Sequence, residues 1–235
     1  MQTVIQDYFN GLCCTEIPPV TYNFDITANW ATGDSSYPVT DQASFEVFLS
    51  ERGYDENNDL TSIVITDFNL QGNHLQCNLT AEGTVLDLSQ MSITQFLSVG
   101  NINGLLSFLL KNNNIVTFNP NVPLPNSLTY LTIANNQIIT FNPTLPLPVN
   151  LLYLSLNYNQ IIVFNPTLPL PTSLQILGLS DNLMTTAGYT ASEPWANGMH
   201  TAPSGGVIYL NGNPDSASGT NLETILTSKG WTVTV

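Results

Sequence analysis

From Leu105 onward one phrase is written four times: LLSFLLKNNNI from Leu105, LTYLTIANNQI from Leu128, LLYLSLNYNQI from Leu151 and LQILGLSDNLM from Leu174. The copies start 23 residues apart without a gap. A fixed period of this length is the mark of a solenoid, because one such unit cannot bury its apolar side alone and must stack on its neighbours. Working outward from these lines decides the fold.

Positions 4 and 6 of each copy (Phe108 and Leu110, Leu131 and Ile133, Leu154 and Leu156, Leu177 and Leu179) alternate with the two-residue period of a short half-buried strand. These strands are expected to stack in parallel. Asn113, Asn136, Asn159 and Asn182 recur at position 9. A buried turn must give its N–H and C=O groups partners, and asparagine brings both a donor and an acceptor, so these residues are expected to be structural.

The return half of each unit reads TFNPNVPLPNS, TFNPTLPLPVN and VFNPTLPLPTS. Three prolines at matched positions remove donors and fix φ, so the return is expected to be extended and not helical. Phe118, Phe141 and Phe164 share one repeat position and are expected to stack as an interior column.

The pattern L-x-x-L-x-L-x-x-N-x-L resembles the leucine-rich repeat. That resemblance implies an α/β solenoid, a horseshoe with a parallel β-sheet on its concave face and a proline-rich, non-helical convex side. It also implies that the strand positions facing away from the core form the concave surface. Here position 3 supplies Tyr130 and Tyr153 and position 5 supplies Leu109 and Tyr209; with Tyr158 nearby, these five are the candidate partner-binding residues. Rigidly held tyrosines make good anchors, since they bury a large area at little cost in side-chain entropy.

Weaker copies extend the stack. LTSIVITDFNL from Leu60 and GTVLDLSQMSI from Gly83 keep the strand positions but carry Phe68 and Met91 where asparagine stands elsewhere. Downstream, GGVIYLNGNP restores Ile208, Leu210 and Asn213 after an insertion at about residues 183–205, which gives roughly seven repeat strands over residues 60–213. The insertion reads as loop, with Tyr189 and Trp195 available either to a partner or to a lid that tucks Trp195 against the side of the stack.

Residues 1–59 read as a small α/β N-terminal segment that caps or docks. Residues 2–12 have helical spacing, Tyr22, Phe24 and Ile26 alternate as in a strand, and Thr40 to Arg52 reads as a helix with Asp41 at its N-terminus. The segment exceeds what covering one solenoid end requires, so docking to an assembly is expected. Residues 214–235 read as a helix-strand cap, with a Thr220/Glu223 capping box and a Lys229-Gly230 stop before WTVTV. That cap is expected to bury the open edge of the sheet.

Three Lys or Arg face seventeen Asp or Glu, a formal net charge of −14. This argues against nucleic acid and against an anionic membrane surface, both of which are held by clustered cations. Ten of the acids precede residue 60, and Lys111 is the only charged side chain between residues 101 and 180. Such a neutral surface suits contact with other protein. No run approaches a membrane span. The first basic residue is Arg52, so the start lacks the charge pattern of a secretory signal and a cytosolic product is expected.

Catalytic patterns do not appear: there is no G-x-S-x-G, no P-loop and no G-x-G-x-x-G. His74 and His200 lie in unrelated segments, and nothing singles out His74 with Cys77 as a pair. Cys13, Cys14 and Cys77 show no metal-ligand spacing and read as reduced thiols. Asp55, Asn57 and Asp59 have the start of a calcium-loop spacing but Leu60 and Thr66 stand at two of its defining positions. No enzyme, cofactor or metal is expected.

The ending, from GYTASEPWANGMH through NGNP to TILTSKGWTVTV, resembles the C-terminal unit of repeat proteins encoded by bacteriophages of Bacteroidetes hosts. The resemblance implies a virion-associated structural or host-attachment protein, whose partners are virion components or a host surface receptor, with self-association inside an assembly. A secreted or surface bacterial adhesin is the alternative, and a cytosolic repeat-type effector the third.

Overall fold

Each repeated phrase delivers three residues to a strand and then turns. The computed structural model describes residues 21–30, 41–51, 63–71, 74–82, 85–90, 93–99 and 105–235. In chain order its strands are β1 (Thr21–Trp30), β2 (Ile63–Gln71), β3 (His74–Glu82), β4 (Val85–Asp87), β5 (Ile93–Val99), β6 (Ser107–Leu109) and β7 (Thr117–Phe118). They continue with β8 (Tyr130–Thr132), β9 (Tyr153–Ser155), β10 (Ile176–Gly178), β11 (Val207–Tyr209) and β12 (Thr232–Thr234). Helices are few: α1 (Gln42–Glu51), α2 (Thr186–Gly198) and α3 (Asn221–Ser228).

Seven strands form an open sheet in the order β12-β11-β10-β9-β8-β6-β4. Every pair in it is parallel, and the pairing Ser107–Tyr130–Tyr153–Ile176–Val207–Thr232 runs in unbroken register. A second sheet has the order β2-β3-β1-β5-β7 and is antiparallel except for β5 with β7. The N-terminal helix is capped as expected, with the Asp41 carboxylate accepting from the Ser44 N–H at 2.8 Å.

Position 4 of the units (Leu86, Phe108, Leu131, Leu154, Leu177, Ile208) and position 6 (Leu88, Leu110, Ile133, Leu156, Leu179, Leu210) are buried, and one hydrophobic core runs from Phe45 to Trp231. Each such side chain contributes about 1.5–3 kcal/mol by leaving water. Phe96, Phe118, Phe141 and Phe164 stack with centroids 6.1–6.2 Å apart, which bears out the column and adds Phe96 to it.

The asparagines do the work their chemistry suggested. Asn136 accepts from the Ile115 N–H at 2.9 Å and donates to the carbonyls of Leu110, Ile133 and Ala134 at 2.9, 3.1 and 3.2 Å. Asn113, Asn159 and Asn182 repeat the pattern, and Asn213 carries it across the insertion to Met184 N–H at 3.1 Å. Just before that repeat position, Gln90, Asn112, Asn135, Tyr158 and Asp181 take φ of 54–60°. Asparagine and aspartate tolerate this left-handed region; glutamine and tyrosine are unusual there.

Three expectations need correction. The phrase from Leu60 supplies no strand to the parallel sheet: Ile63–Gln71 is a nine-residue strand paired antiparallel with β3. The missing asparagine is not the cause, since β4 ends after three residues with Met91 at the same position; what differs is the partner, a nine-residue antiparallel β3. The seventh parallel strand is instead β12, so the sheet edge is extended by one strand and not buried. The insertion is helix α2 and not loop, held by an N-cap at Thr185 even though Pro194 lies inside it. Its buried side chains Tyr189, Ser192, Trp195 and Ala196 give it one docking face.

The N-terminal segment is likewise built in: β1 is the central strand of the second sheet, and Phe45 lies in the common core. The helix expected at residues 2–12, Cys13, Cys14 and the acidic turn at Asp55 to Asp59 lie outside the described residues. At the other end, the Thr220 hydroxyl accepts from Glu223 N–H at 3.3 Å, while the Glu223 carboxylate accepts from Gly219 N–H at 2.6 Å. Gly230 closes α3 with φ of 89°.

Candidate partner-binding face

Positions 3 and 5 of the parallel strands point away from the core and form one face of the sheet. Tyr130 and Tyr153, brought side by side by the register of β8 and β9, stack with centroids 4.3 Å apart and planes 7° from parallel. Both are half-buried. Burial, followed by the neighbouring Tyr153, pushes the Tyr130 phenol well above its ordinary range, so it stays a neutral donor and acceptor at any physiological pH.

Leu109 is half-buried at the next position of β6, in register with Thr132. Tyr158 lies on the turn beyond β9 and is 58% exposed. Tyr209 stands apart, on β11 at the alternate strand position, with β10 between it and Tyr153. The face thus brings together Leu109, Tyr130 and Tyr153, with Tyr158 at its margin and Tyr209 as a separate point.

Two contributors escape sequence reasoning. The Asn157 amide folds over Gly178, where an added Cβ would meet it, and accepts from Ser180 N–H at 2.9 Å. Ser107, in register with Tyr130, keeps its buried hydroxyl without a hydrogen-bond partner. A small residue beside a large one in the position-3 series was the only signal for it.

Tyr189 and Trp195 belong to the core. Tyr189 is fully buried, donates to the Asp215 carbonyl at 2.8 Å, and has its phenol pushed up to about 12 by burial and then by the Asp215 charge. Trp195 closes the phenylalanine column edge-on against Phe164 at 4.7 Å. The lid reading of the insertion therefore describes it.

No group of three or more His, Cys, Asp or Glu able to hold a metal occurs among the described residues. Among the same residues no helix is long and apolar enough to cross a membrane. No family model matches the chain, and no curated protein matches it.

Proposed function

We propose that this chain is a leucine-rich-repeat solenoid acting as a non-catalytic protein-interaction module, and that it serves as a structural or host-attachment component of a bacteriophage virion. The observation that carries the binding reading is the stacked Tyr130–Tyr153 pair on a sheet face without charged neighbours from residue 112 to 180. Two large, rigid, neutral aromatic side chains held in register offer a partner much area at small entropic cost.

A horseshoe with the sheet inside is supported by unequal steps on the two sides of the stack. The one tyrosine pair on the sheet face is spaced at 4.3 Å, whereas phenylalanine rings on the return side repeat at 6.1 Å. Strands in a sheet repeat at about 4.8 Å, so the units widen away from the sheet. The virion placement rests on the resemblance read in the C-terminal fifty or so residues.

Quantitative mass spectrometry of purified particles and of cell-free supernatant from the source tests the placement. A fixed ratio to a major capsid or tail protein is the expected result; presence on cell envelopes or in supernatant alone would replace it with the adhesin. For the face itself, Tyr130→Ala with Tyr153→Ala is expected to weaken particle or receptor association at least about tenfold. An equal loss in thermal stability would show the pair to be core.

A further inference from the structure

The proline-rich return segments are tied to one another by a recurring bond. Asn119 Oδ1 accepts from both the N–H and the hydroxyl of Thr144, each at 2.9 Å. One unit later Asn142 Oδ1 accepts from the N–H and hydroxyl of Thr167 at 2.8 and 2.9 Å. At Asn165 the series stops. The next segment in the chain is α2, which covers the inner part of the stack through Trp195 and leaves Asn165 exposed with no donor.

Where the next return segment would lie there is a cleft of about 410 Å³, walled by residues 165–170 and Thr172 on one side and by Pro194, Trp195, Gly198, Met199 and His200 on the other. Its size is that of ordinary ligand sites. Beside it, Trp195 Nε1 and His200 Nε2 are buried and unpartnered, closed off from the open space of the cleft. Burial holds the His200 imidazole below its ordinary range, against an opposing hydrogen bond to the Leu174 backbone and with Lys229 acting in the same direction as burial. The cleft therefore asks for a donor at Asn165, between walls of proline and leucine.

We propose that this cleft binds an extended, proline-containing peptide segment of another protein, carrying a threonine- or serine-like residue whose N–H and hydroxyl bond to Asn165. Such a segment continues the stack by the same contact that Thr144 and Thr167 make within the chain. Its pre-extended polyproline II backbone loses little entropy on docking between apolar walls. A second copy of this chain is a poor occupant. Its Thr144 and Thr167 donors are already engaged, and its first return segment has Asn121 at that place.

The test is fluorescence anisotropy of a labelled peptide TFNPTLPLPVN titrated with the full chain. Saturable binding with Kd below about 1 mM is expected. Asn165→Ala on the exposed wall should weaken it by about five- to tenfold, and peptide Thr→Val should do the same with no further loss when the two are combined. Gly198→Trp should abolish binding; a Cβ at Gly198 meets nothing within 4 Å, so the variant fills the cleft without disturbing the helix.

No saturable binding, equal binding by a peptide with its prolines replaced by alanine, undiminished binding by Gly198→Trp, or additive losses in the Asn165/Thr pair would each overturn the proposal. Self-association of the chain that Gly198→Trp removes would give the cleft to a second copy and overturn it as well. The outcome is independent of where the protein is found, since it reads only the cleft.

Discussion

Between Asn113 and Asn182 each buried turn is tied to the preceding unit by one side-chain amide bonded to both its N–H and C=O groups, whereas helix α2 is joined to the last of these units by shape. Asn159 alone makes four contacts of 3.0–3.3 Å, to Ile138 N–H and to the carbonyls of Ile133, Leu156 and Asn157. At the α2 junction the corresponding hydrogen bond is single, from Phe164 N–H to the Ser192 hydroxyl at 3.0 Å. The rest is fit: Trp195 on Phe164, and Gly188 lying so close to the Ile162 carbonyl that a Cβ there would strike it. A hydrogen-bonded repeat can be continued only by its own kind. A fitted face can end the array, and the partial fit of α2 is what leaves a cleft beside it.

The largest expected effect lies on the hydrogen-bonded side. Asn159→Ala strips partners from a buried N–H and from buried carbonyls at once and should cost about 3–5 kcal/mol in urea denaturation. A loss under about 1 kcal/mol would mean that water replaces the amide and that the ladder is not the bond between units. On the fitted side, Gly188→Ala forces α2 away from Ile162 and should cost about 1–3 kcal/mol, with Trp195 fluorescence altered and far-ultraviolet dichroism of the strands retained. If the strands melt with it, α2 is integral to the stack and the contrast fails.

Alkali should probe the α2 side through Tyr189. The Tyr189 phenol is held neutral by the fold, with its folded value near 12 and its ordinary value 10.0, so its stabilising share is present below about pH 10 and disappears as pH rises towards 12. Tyr189→Phe should flatten the fall in melting temperature over that window and lower stability by about 1 kcal/mol at neutral pH by removing the bond to Asp215. An unchanged alkaline slope would place the titrating group elsewhere, with Tyr130 the next to examine.

The smallest effect has the opposite sign. Tyr158 holds a left-handed backbone that its counterparts Asn112, Asn135 and Asp181 adopt more cheaply, so Tyr158→Asn should stabilise the protein by about 1 kcal/mol. If the same substitution weakens partner association, the strained tyrosine is kept for contact; if association is unchanged, the face ends at Tyr153.

What the sequence disclosed follows the same division. Strand positions, the asparagine column and the Phe118–Phe141–Phe164 stack were legible because each depends on one residue meeting its own copy 23 positions away. The Tyr130–Tyr153 pair was legible for the same reason. Helix α2 was not, because the insertion breaks the repeat period and reads as loop; yet Tyr189, Ser192, Trp195 and Ala196 have helical spacing, and docking supplied what propensity lacked. Asn157 over Gly178 was hidden because it joins different repeat positions. The strand at Ile63–Gln71 misled because alternation alone does not tell a three-residue strand from a nine-residue one.

The asparagine column has a consequence for how the protein opens. Its side chains shield the amides of Ile93, Ile115, Ile138, Ile161 and Met184, each in the unit before the asparagine that covers it. Freeing one amide requires the next unit to let go, and that unit is held in turn by the one after. Hydrogen exchange at Ile115, Ile138 and Ile161 should therefore proceed as a single slow block at the cost of global unfolding. Fraying should begin at Met184, whose cover, Asn213, is half-buried and reaches back across the insertion.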